Sequence, residues 1–167
     1  MGDGSAMKDV LRKFRCCFIG HRLYSLKRSE DDIKIDLENS ILRTVADGYT
    51  TFISGLCPGV EIWAAEIVTR LKIANPDLHL VAAVPFPGFD AAWEEGWRTR
   101  YRLLLSQAEY VKVMEPRYSP EAFQRRNEWM ANHSARVIAV CGSQESGTQN
   151  MIQYARRCRI PVLMIPG

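Results

Sequence analysis

The sequence predicts an α/β fold: a single Rossmann-like three-layer domain with a mainly parallel sheet. Short apolar runs alternate with helical patterns along the chain, and each run is apolar throughout rather than at every second residue. Strands of parallel sheets have this character because helices cover both of their faces. The chain shows no internal repeat and no linker-like segment. We therefore expect one domain over residues 14–167, preceded by a flexible N-terminus over residues 1–13.

Six apolar runs have the length of buried strands and are flanked by glycine, proline or polar turn residues. The first, RCCFIG, ends in glycine, and the second, YTTFISG, is rich in β-branched and aromatic residues. The third, within LHLVAAVPF, is apolar almost without interruption and follows the turn sequence NPD. The predicted strands are residues 15–20, 49–55, 78–86, 110–114, 136–142 and 160–165.

Five segments between these runs carry apolar residues at helical spacing. The first places Ile33, Leu37 and Ile41 four residues apart and closes on Gly48, a residue that favours a helix C-terminus. The predicted helices are residues 31–48, 59–74, 90–108, 120–133 and 147–158. Strand and helix alternate strictly, as expected for a parallel sheet built from right-handed crossovers.

Composition excludes several classes of protein. The net charge of +3 is too small to indicate nucleic acid by itself, because the basic residues are interleaved with 19 acids. No apolar run approaches the ~18 residues that cross a bilayer, and the N-terminus lacks a signal-peptide core. The five cysteines show no C-x-x-C spacing, which favours a reducing cytoplasm without disulfides or a metal site. These cysteines are Cys16, Cys17, Cys57, Cys141 and Cys158.

Glycine, hydroxyl and arginine residues follow the predicted strands, at the sheet edge where parallel α/β proteins bind ligands. Glycine lets the backbone approach an anion closely, and a helix N-terminus presents amides and a positive dipole end. Arginine adds charge-assisted hydrogen bonds to phosphate. The candidate ligand-binding residues from these loops are Gly20, His21, Arg22, Ser54, Gly55, Gly59, Glu61, Arg117, Ser146, Gly147 and Thr148.

The same residue types also have a purely structural explanation. Loops that connect strands to helices need glycine for turns and serine or threonine for helix caps. Neither glycine loop is the G-x-G-x-x-G fingerprint or a Walker loop. Two such loops, together with arginines at the same edge of the predicted sheet, favour binding of a phosphate-bearing ligand over the structural explanation alone.

Three side chains are weak candidates for catalysis. His21 is the one histidine at a strand end, where it could act as an acid or base or could simply pack. Glu61 lies in the first turn of a predicted helix. There its negative charge either stabilises the positive end of the helix dipole or accepts a hydrogen bond from a ribose hydroxyl. Arg126 reads as a solvated residue of a helix until a family resemblance is considered. Trp93 could stack on a base, although an aromatic stripe in a helix is more often core or dimer interface.

The stretch SGLCPGVEIWAAE closely resembles the signature SG-x-x-x-G-V-[DE]-x-W-A-A-E of the YpsA-like proteins in the SLOG superfamily. The strand-one ending resembles that family's TGHR pattern, with Ile19 in place of threonine, and QRRNEWM followed by SGT resembles its final half. The similarity covers residues 15–167. It implies a Rossmann-like fold that binds nucleotides or nucleotide-derived ligands, and a relation to the DNA-processing protein A domain.

The resemblance extends to the Lonely Guy phosphoribohydrolases, often labelled lysine-decarboxylase-like. It places Arg126 and Asn127 on that family's arginine and lysine, and Gly147 and Thr148 on the glycine and threonine of its phosphate loop. The catalytic glutamate then falls on Met151, whose thioether cannot take a proton. This disfavours phosphoribohydrolase activity and adds Arg126 and Asn127 to the candidate ligand contacts.

The functional expectation is a cytoplasmic sensor or regulatory module that binds a phosphate-bearing, for example ADP-ribose-like, nucleotide ligand. The alternative is a hydrolase that cleaves an N-glycosidic or phosphate bond, and the third hypothesis is single-stranded DNA binding. We expect no required cofactor, no metal and no membrane association, and nucleic acid ranks low as a partner. A homodimer is compatible with four tryptophans in a small chain.

Overall fold

The computed structural model describes residues 10–142 and 147–167. One sheet of six strands runs through the described chain, in the order β4-β3-β2-β1-β5-β6. The strands are β1 (Arg15–Gly20), β2 (Thr51–Ser54), β3 (His79–Val84), β4 (Tyr110–Val113), β5 (Arg136–Cys141) and β6 (Val162–Pro166). All five neighbouring pairs are parallel, which confirms the predicted α/β fold with its parallel sheet.

Five helices connect these strands. They are α1 (Glu30–Ala46), α2 (Val60–Ala74), α3 (Glu95–Gln107), α4 (Ala122–Asn132) and α5 (Gly147–Arg157). Each predicted helix is present, with ends that differ by one or two residues except in α3. Among the described residues, no helix is long and apolar enough to cross a membrane.

Helices cover both faces of the sheet and give it two hydrophobic cores. On one face, α1, α2 and α3 pack against the strands around Phe18, Phe52 and Trp63. On the other face, α4 and α5 contribute Met130 and Met151 to a smaller core. The inner strands β1, β2, β3 and β5 are mostly buried on both sides, which explains why their sequences are apolar without alternation. The edge strands β4 and β6 are apolar as well, but most of their residues are partly or fully exposed.

Helix α3 begins later than the sequence predicts. Residues 90–94, predicted as helix, belong instead to a chain of turns, in which Ala91 and Trp93 donate backbone hydrogen bonds to Gly88 and Asp90. Gly88 has φ of +77°, a conformation that favours glycine and interrupts regular structure. The aromatic periodicity alone did not reveal this turn, because Trp93 packs against the core from a bend just as it would from a helix.

The order of the strands creates a switch point beside β1. The chain adds β2, β3 and β4 on one side of β1 and then returns to place β5 and β6 on the other side. The chain therefore extends from β1 in opposite directions, and a switch point of this kind is where parallel α/β folds bind ligands, beyond the carboxyl ends of β1 and β5. Gly20, at the end of β1, pairs with Val140 of β5 at this point.

Candidate functional site

Gly20 fixes the position of α2 at the end of β1. A Cβ atom on Gly20 would lie 2.4 Å from the Cβ of Val60, the first residue of α2. Any side chain there would push the helix away from the strand. The glycine therefore brings the N-terminus of α2 and the loop that precedes it close to the switch point.

The loop between β2 and α2 is tied to its own helix. The buried Ser54 donates from Oγ to the carbonyl of Glu61 at 2.9 Å and accepts the Leu56 amide at 3.2 Å. The Cys57 amide donates to Oε2 of Glu61 at 3.0 Å. Two amides of the predicted phosphate loop therefore already donate hydrogen bonds to protein side chains, and one of these bonds holds the carboxylate of Glu61 in place.

Gly59 forms the N-cap of α2 with φ of +96° and ψ of −129°, a conformation that essentially requires glycine. A Cβ atom there would also approach Cδ2 of Leu23 at 2.9 Å. None of the described side chains makes a capping hydrogen bond at this helix end. Its amides and positive dipole end are consequently suited to an anion supplied by a ligand.

Arg126 is buried beside the glycine loop, with only 4% of its surface exposed. Its Nη1 donates to the Gly55 carbonyl and to Cys57 Sγ, both at 3.3 Å. Its Nε and Nη2 donate to Oδ1 of Asn127 at 3.4 and 3.3 Å. The guanidinium also lies 5.6 Å from the centroid of the Phe123 ring. The resemblance to the Lonely Guy phosphoribohydrolases, rather than the helical pattern of the sequence, indicated Arg126 as a candidate site residue.

Glu61 and Arg126 are two buried charged residues that lie on either side of Gly55 without a direct hydrogen bond between them. A Cβ atom on Gly55 would lie 2.9 Å from Nη1 of Arg126 and 3.0 Å from Oε2 of Glu61. Burial lowers the pKa of Arg126, but interactions with the ionisable Cys57 and Glu61 outweigh it, so the net shift of this pKa is upward. Arg126 therefore stays cationic. The absence of a side chain on Gly55 leaves room for both groups.

Glu61 has one carboxylate oxygen that the described chain does not satisfy. Only 3% of the residue is exposed, and Oε1 is buried without a hydrogen-bond partner among the described residues, whereas Oε2 accepts the Cys57 amide. A buried carboxylate oxygen left without a donor is costly. The site thus contains an acceptor prepared for a donor from outside the described chain.

His21 lies at the switch point itself and is 3% exposed. Its amide donates to the Val140 carbonyl at 3.1 Å, and its Nε2 lies 3.2 Å from Sγ of Cys141. Gln149 of α5 donates from Nε2 to the same sulfur at 3.1 Å. Burial raises the pKa of the Cys141 thiol. The side chain of His21 is therefore held in place by packing and by the end of β5.

Cys141 and Gln149 were not among the predicted site residues. Cys141 ends an apolar strand and was interpreted as a small core residue, and Gln149 sits in a helix without a recognised motif. The adjacency of β1 and β5 brings them to His21, and local sequence carries no signal for that adjacency.

The remaining predicted residues are more dispersed. Arg22 is exposed directly after β1, whereas Arg117 is exposed after β4, the edge strand that β2 and β3 separate from β1. Gly147 is exposed and Thr148 buried at the N-terminus of α5. Ser146 lies outside the described residues. The roles of these residues in binding stay predictions.

Two further sequence hypotheses concern Met151 and Trp93. Met151 is 1% exposed and packs in the core between α5 and the sheet, so a glutamate at this position would point into apolar surroundings. Trp93 packs edge-on against Phe89 and Tyr101, with ring centroids 4.8 and 5.3 Å apart. These contacts favour a packing role for Trp93 over base stacking. In the described ranges, no three His, Cys, Asp or Glu side chains cluster as a metal site.

Comparison with known proteins identifies relatives for most of the chain. A family model described as the YspA SLOG family matches residues 16–160. A UPF0398 protein of Bacillus cereus is 34% identical over 122 residues, covering 72% of this chain and 66% of the relative. A UPF0398 protein of Bacillus thuringiensis is 33% identical over 127 residues, covering 75% of this chain and 69% of the relative.

Two solved structures share the fold. DNA processing protein A from Helicobacter pylori, described with a single-stranded DNA binding mode, has a TM-score of 0.68 at 19% identity and covers 99% of this chain and 70% of that one. DNA processing protein A from Streptococcus pneumoniae has a TM-score of 0.63 at 17% identity and covers 95% of this chain and 52% of that one. At these identities the similarity shows a common fold.

Proposed function

This chain belongs to the YspA SLOG family, and from that premise we propose that it binds a phosphate-bearing nucleotide or nucleotide-derived ligand and acts as a sensor or regulatory module. The ligand occupies the carboxyl end of the sheet between the glycine loop and the switch point. The ligand has a sugar hydroxyl and an anionic group, of which ADP-ribose is an example.

The unsatisfied Oε1 of Glu61 carries this proposal. A carboxylate oxygen that is buried but unpaired favours a ligand that donates a hydrogen bond, as a ribose hydroxyl does. The cation of Arg126 lies near Glu61, and its hydrogen bonds go to Gly55, Cys57 and Asn127 and leave that oxygen open. Gly55 supports the arrangement because it places no side chain between the loop and the two charged groups.

The anionic group of the ligand has a separate place in the proposal. The N-terminus of α2 has no side-chain cap among the described residues, and Gly59 allows a ligand to approach its amides closely. Arg22 leaves β1 beside this loop and supplies a charge-assisted hydrogen bond to phosphate. The sugar hydroxyl at Glu61 and the phosphate at the helix end together select a nucleotide over inorganic phosphate.

A purely binding role agrees with the placement of Met151 better than hydrolysis does. The position that resembles the catalytic glutamate of the phosphoribohydrolases lies buried in the hydrophobic core between α5 and the sheet. Hydrolysis would have to use Glu61 or His21 instead. Single-stranded DNA is the competing ligand, because the Helicobacter pylori protein with this fold is described as binding it.

Isothermal titration calorimetry with ADP-ribose, AMP, inorganic phosphate and oligothymidine tests the proposal. We expect ADP-ribose or AMP to bind more tightly than phosphate, and chromatography of the mixture to recover the nucleotide unchanged. Glu61→Gln should weaken nucleotide binding by about tenfold or more, because hydrogen bonds to charged groups are worth about 1.5–3 kcal/mol. Arg22→Gln, at an exposed position, should weaken it as well.

Lys27→Gln removes an exposed cation after the same strand and serves as the control with unchanged affinity. Retention of nucleotide affinity in both Glu61→Gln and Arg22→Gln would refute the assigned site. Consumption of the nucleotide would establish the hydrolase instead. Binding of oligothymidine alone, weakening steeply with salt, would establish the DNA hypothesis.

A further inference from the structure

A second concave surface lies at the opposite end of the sheet from the ligand site. This groove has a volume of about 400 Å³ and is lined by Arg12 and Lys13 before β1, Ala135 before β5, and residues 158–161 before β6. Because all strands are parallel, these positions mark their amino ends. A molecule in the groove would therefore not compete with a ligand beyond the carboxyl ends.

The groove is basic. Arg12, Lys13 and Arg159 line it, and none of the described lining residues is acidic. Arg12 is held by a hydrogen bond from Nε to the Ser134 carbonyl at 2.9 Å. Arg15 is a further cation close to Arg12: burial, and to a smaller extent the charge of Arg12, lowers its pKa. Crowded cations favour an anionic partner.

Arg159 occupies a backbone position that glycine would fill at lower cost. Its φ is +59°, and it follows the end of α5, where its amide bonds to the Arg156 carbonyl and the Ile160 amide to the Ala155 carbonyl. This is the left-handed helix ending at which glycine is preferred. Arg159 thus carries a long cationic side chain in a backbone conformation that favours glycine, and such strain often marks a functional residue.

The shape and the lining of the groove indicate the class of partner. It is open on one side, whereas small ligands favour pockets that bury most of their surface. Its uncharged lining includes Ala135, Ile160 and Pro161 and no aromatic ring, although single-stranded nucleic acid binds through aromatic stacking. We propose that this groove binds an extended acidic peptide segment of a partner protein, with its carboxylates on Arg12, Lys13 and Arg159.

This surface is a second binding site whose test does not depend on the nucleotide site, although the need for it follows from the proposed regulatory role. A regulatory module needs a surface that contacts its target in addition to the one that binds its ligand. The groove meets that need at the end of the sheet that the ligand leaves open.

Fluorescence anisotropy with a labelled peptide of alternating glutamate and leucine tests the proposal, with oligothymidine of the same length and the glutamine version of the peptide as comparisons. We expect the acidic peptide to bind more tightly than both comparisons. Lys13→Gln and Arg159→Gly should each weaken it about fivefold, and Lys27→Gln, at the other end of the sheet, should leave it unchanged.

Arg159→Gly separates binding from folding. Glycine relieves the left-handed conformation, so this variant should unfold at the same temperature as the wild type or a higher one while it loses affinity for the peptide. Equal affinity of Arg159→Gly and wild type would overturn the proposal. Preferential binding of oligothymidine, or no binding of the acidic peptide, would also overturn it.

Cys158 locates the bound peptide because it is exposed and lines the groove. Saturating peptide should slow the reaction of Cys158 with a maleimide, as measured by mass spectrometry of digested protein. Cys57, beside the glycine loop, is the internal control. Because its pKa is raised to about 11, both rates are measured at pH 9, where that of Cys57 should be unchanged by the peptide. Protection of Cys57 instead of Cys158 would place the peptide at the wrong end of the sheet and refute the groove.

Discussion

Arg126 Nη1 lies 3.3 Å from the carbonyl oxygen of Gly55, a residue 71 positions earlier in the chain. This contact joins α4 to the loop after β2 and places a guanidinium where the sequence pattern suggested solvent. The same cation faces the surroundings of Glu61, whose second oxygen accepts the Cys57 amide. The glycine loop is therefore a support for two buried charged residues as much as a loop for phosphate.

These two charged residues give a prediction for stability. Arg126→Met should lower the free energy of unfolding by about 1–3 kcal/mol, because it removes the donor of the Gly55 carbonyl and of Asn127 Oδ1 and the cation that lies near the buried Glu61. Glu61→Gln in the same chain should restore part of this loss, since the uncompensated charge is gone. Urea denaturation of the two single variants and the double variant measures the coupling. A double variant whose loss equals the sum of the single losses would show that the two side chains do not interact.

The contact between β1 and α2 gives a second prediction. Gly20→Ala should lower the free energy of unfolding by about 1–3 kcal/mol, because its Cβ would lie 2.4 Å from that of Val60. Gly96→Ala is the matched control: it lies in α3 with no atom within 4 Å of the added carbon, so stability should stay equal or rise by up to about 1 kcal/mol. Equal thermal stability of the two variants would contradict the close packing at Gly20.

Two buried thiols give a dependence of stability on pH. Burial raises the pKa of Cys17 to about 12 and that of Cys57 to about 11, both from an ordinary value of 9.0. The folded state holds these protons more tightly than the unfolded state does. Stability from this source is present below pH 9 and is lost as the pH rises through 11.

Urea midpoints measured from neutral pH to pH 11 should therefore fall above pH 9. In Cys57→Ala the fall should be smaller, because one of the groups whose pKa is raised by folding is absent. The rate of Cys57 alkylation should also keep rising up to about pH 11, whereas the exposed Cys158 serves as the comparison thiol. A Cys57 rate that levels off near pH 9 would contradict the shifted pKa.

Met151 tests whether hydrolytic activity can be restored by one residue. Met151→Glu should lower the free energy of unfolding by more than about 3 kcal/mol and give no release of base from AMP, because the carboxylate would enter the core. Met151→Leu conserves the volume and should cost less than about 1.5 kcal/mol. Release of base by a stable Met151→Glu variant would show that position 151 faces the ligand.

Much of the fold could be predicted from local sequence. The apolar strands and amphipathic helices are present in the expected order, since each requires only the periodicity of its own residues. The start of α3 was misplaced because the aromatic residues around Trp93 pack together from a turn as they would from a helix. Gly88, with its left-handed backbone, was the local signal for that turn.

The candidate site could be predicted only in part. The glycine loop from Ser54 to Gly59 has a signature of its own and was found directly. Arg126 was indicated by family resemblance, and Cys141 and Gln149 were missed, because their proximity to the site depends on which strands are neighbours. A strand's sequence shows that it is buried, but not which strand lies beside it.

The sequence by itself determined the order of strands and helices, the parallel character of the sheet and the presence of a glycine loop after β2. The tertiary structure alone decided that β1 lies between β2 and β5, that His21 meets Cys141, and that Arg126 is buried against Gly55. The physical reason is the distance along the chain over which each effect acts. Periodicity and backbone preference act over a few residues, whereas the burial of a charge depends on partners that folding brings from distant parts of the chain.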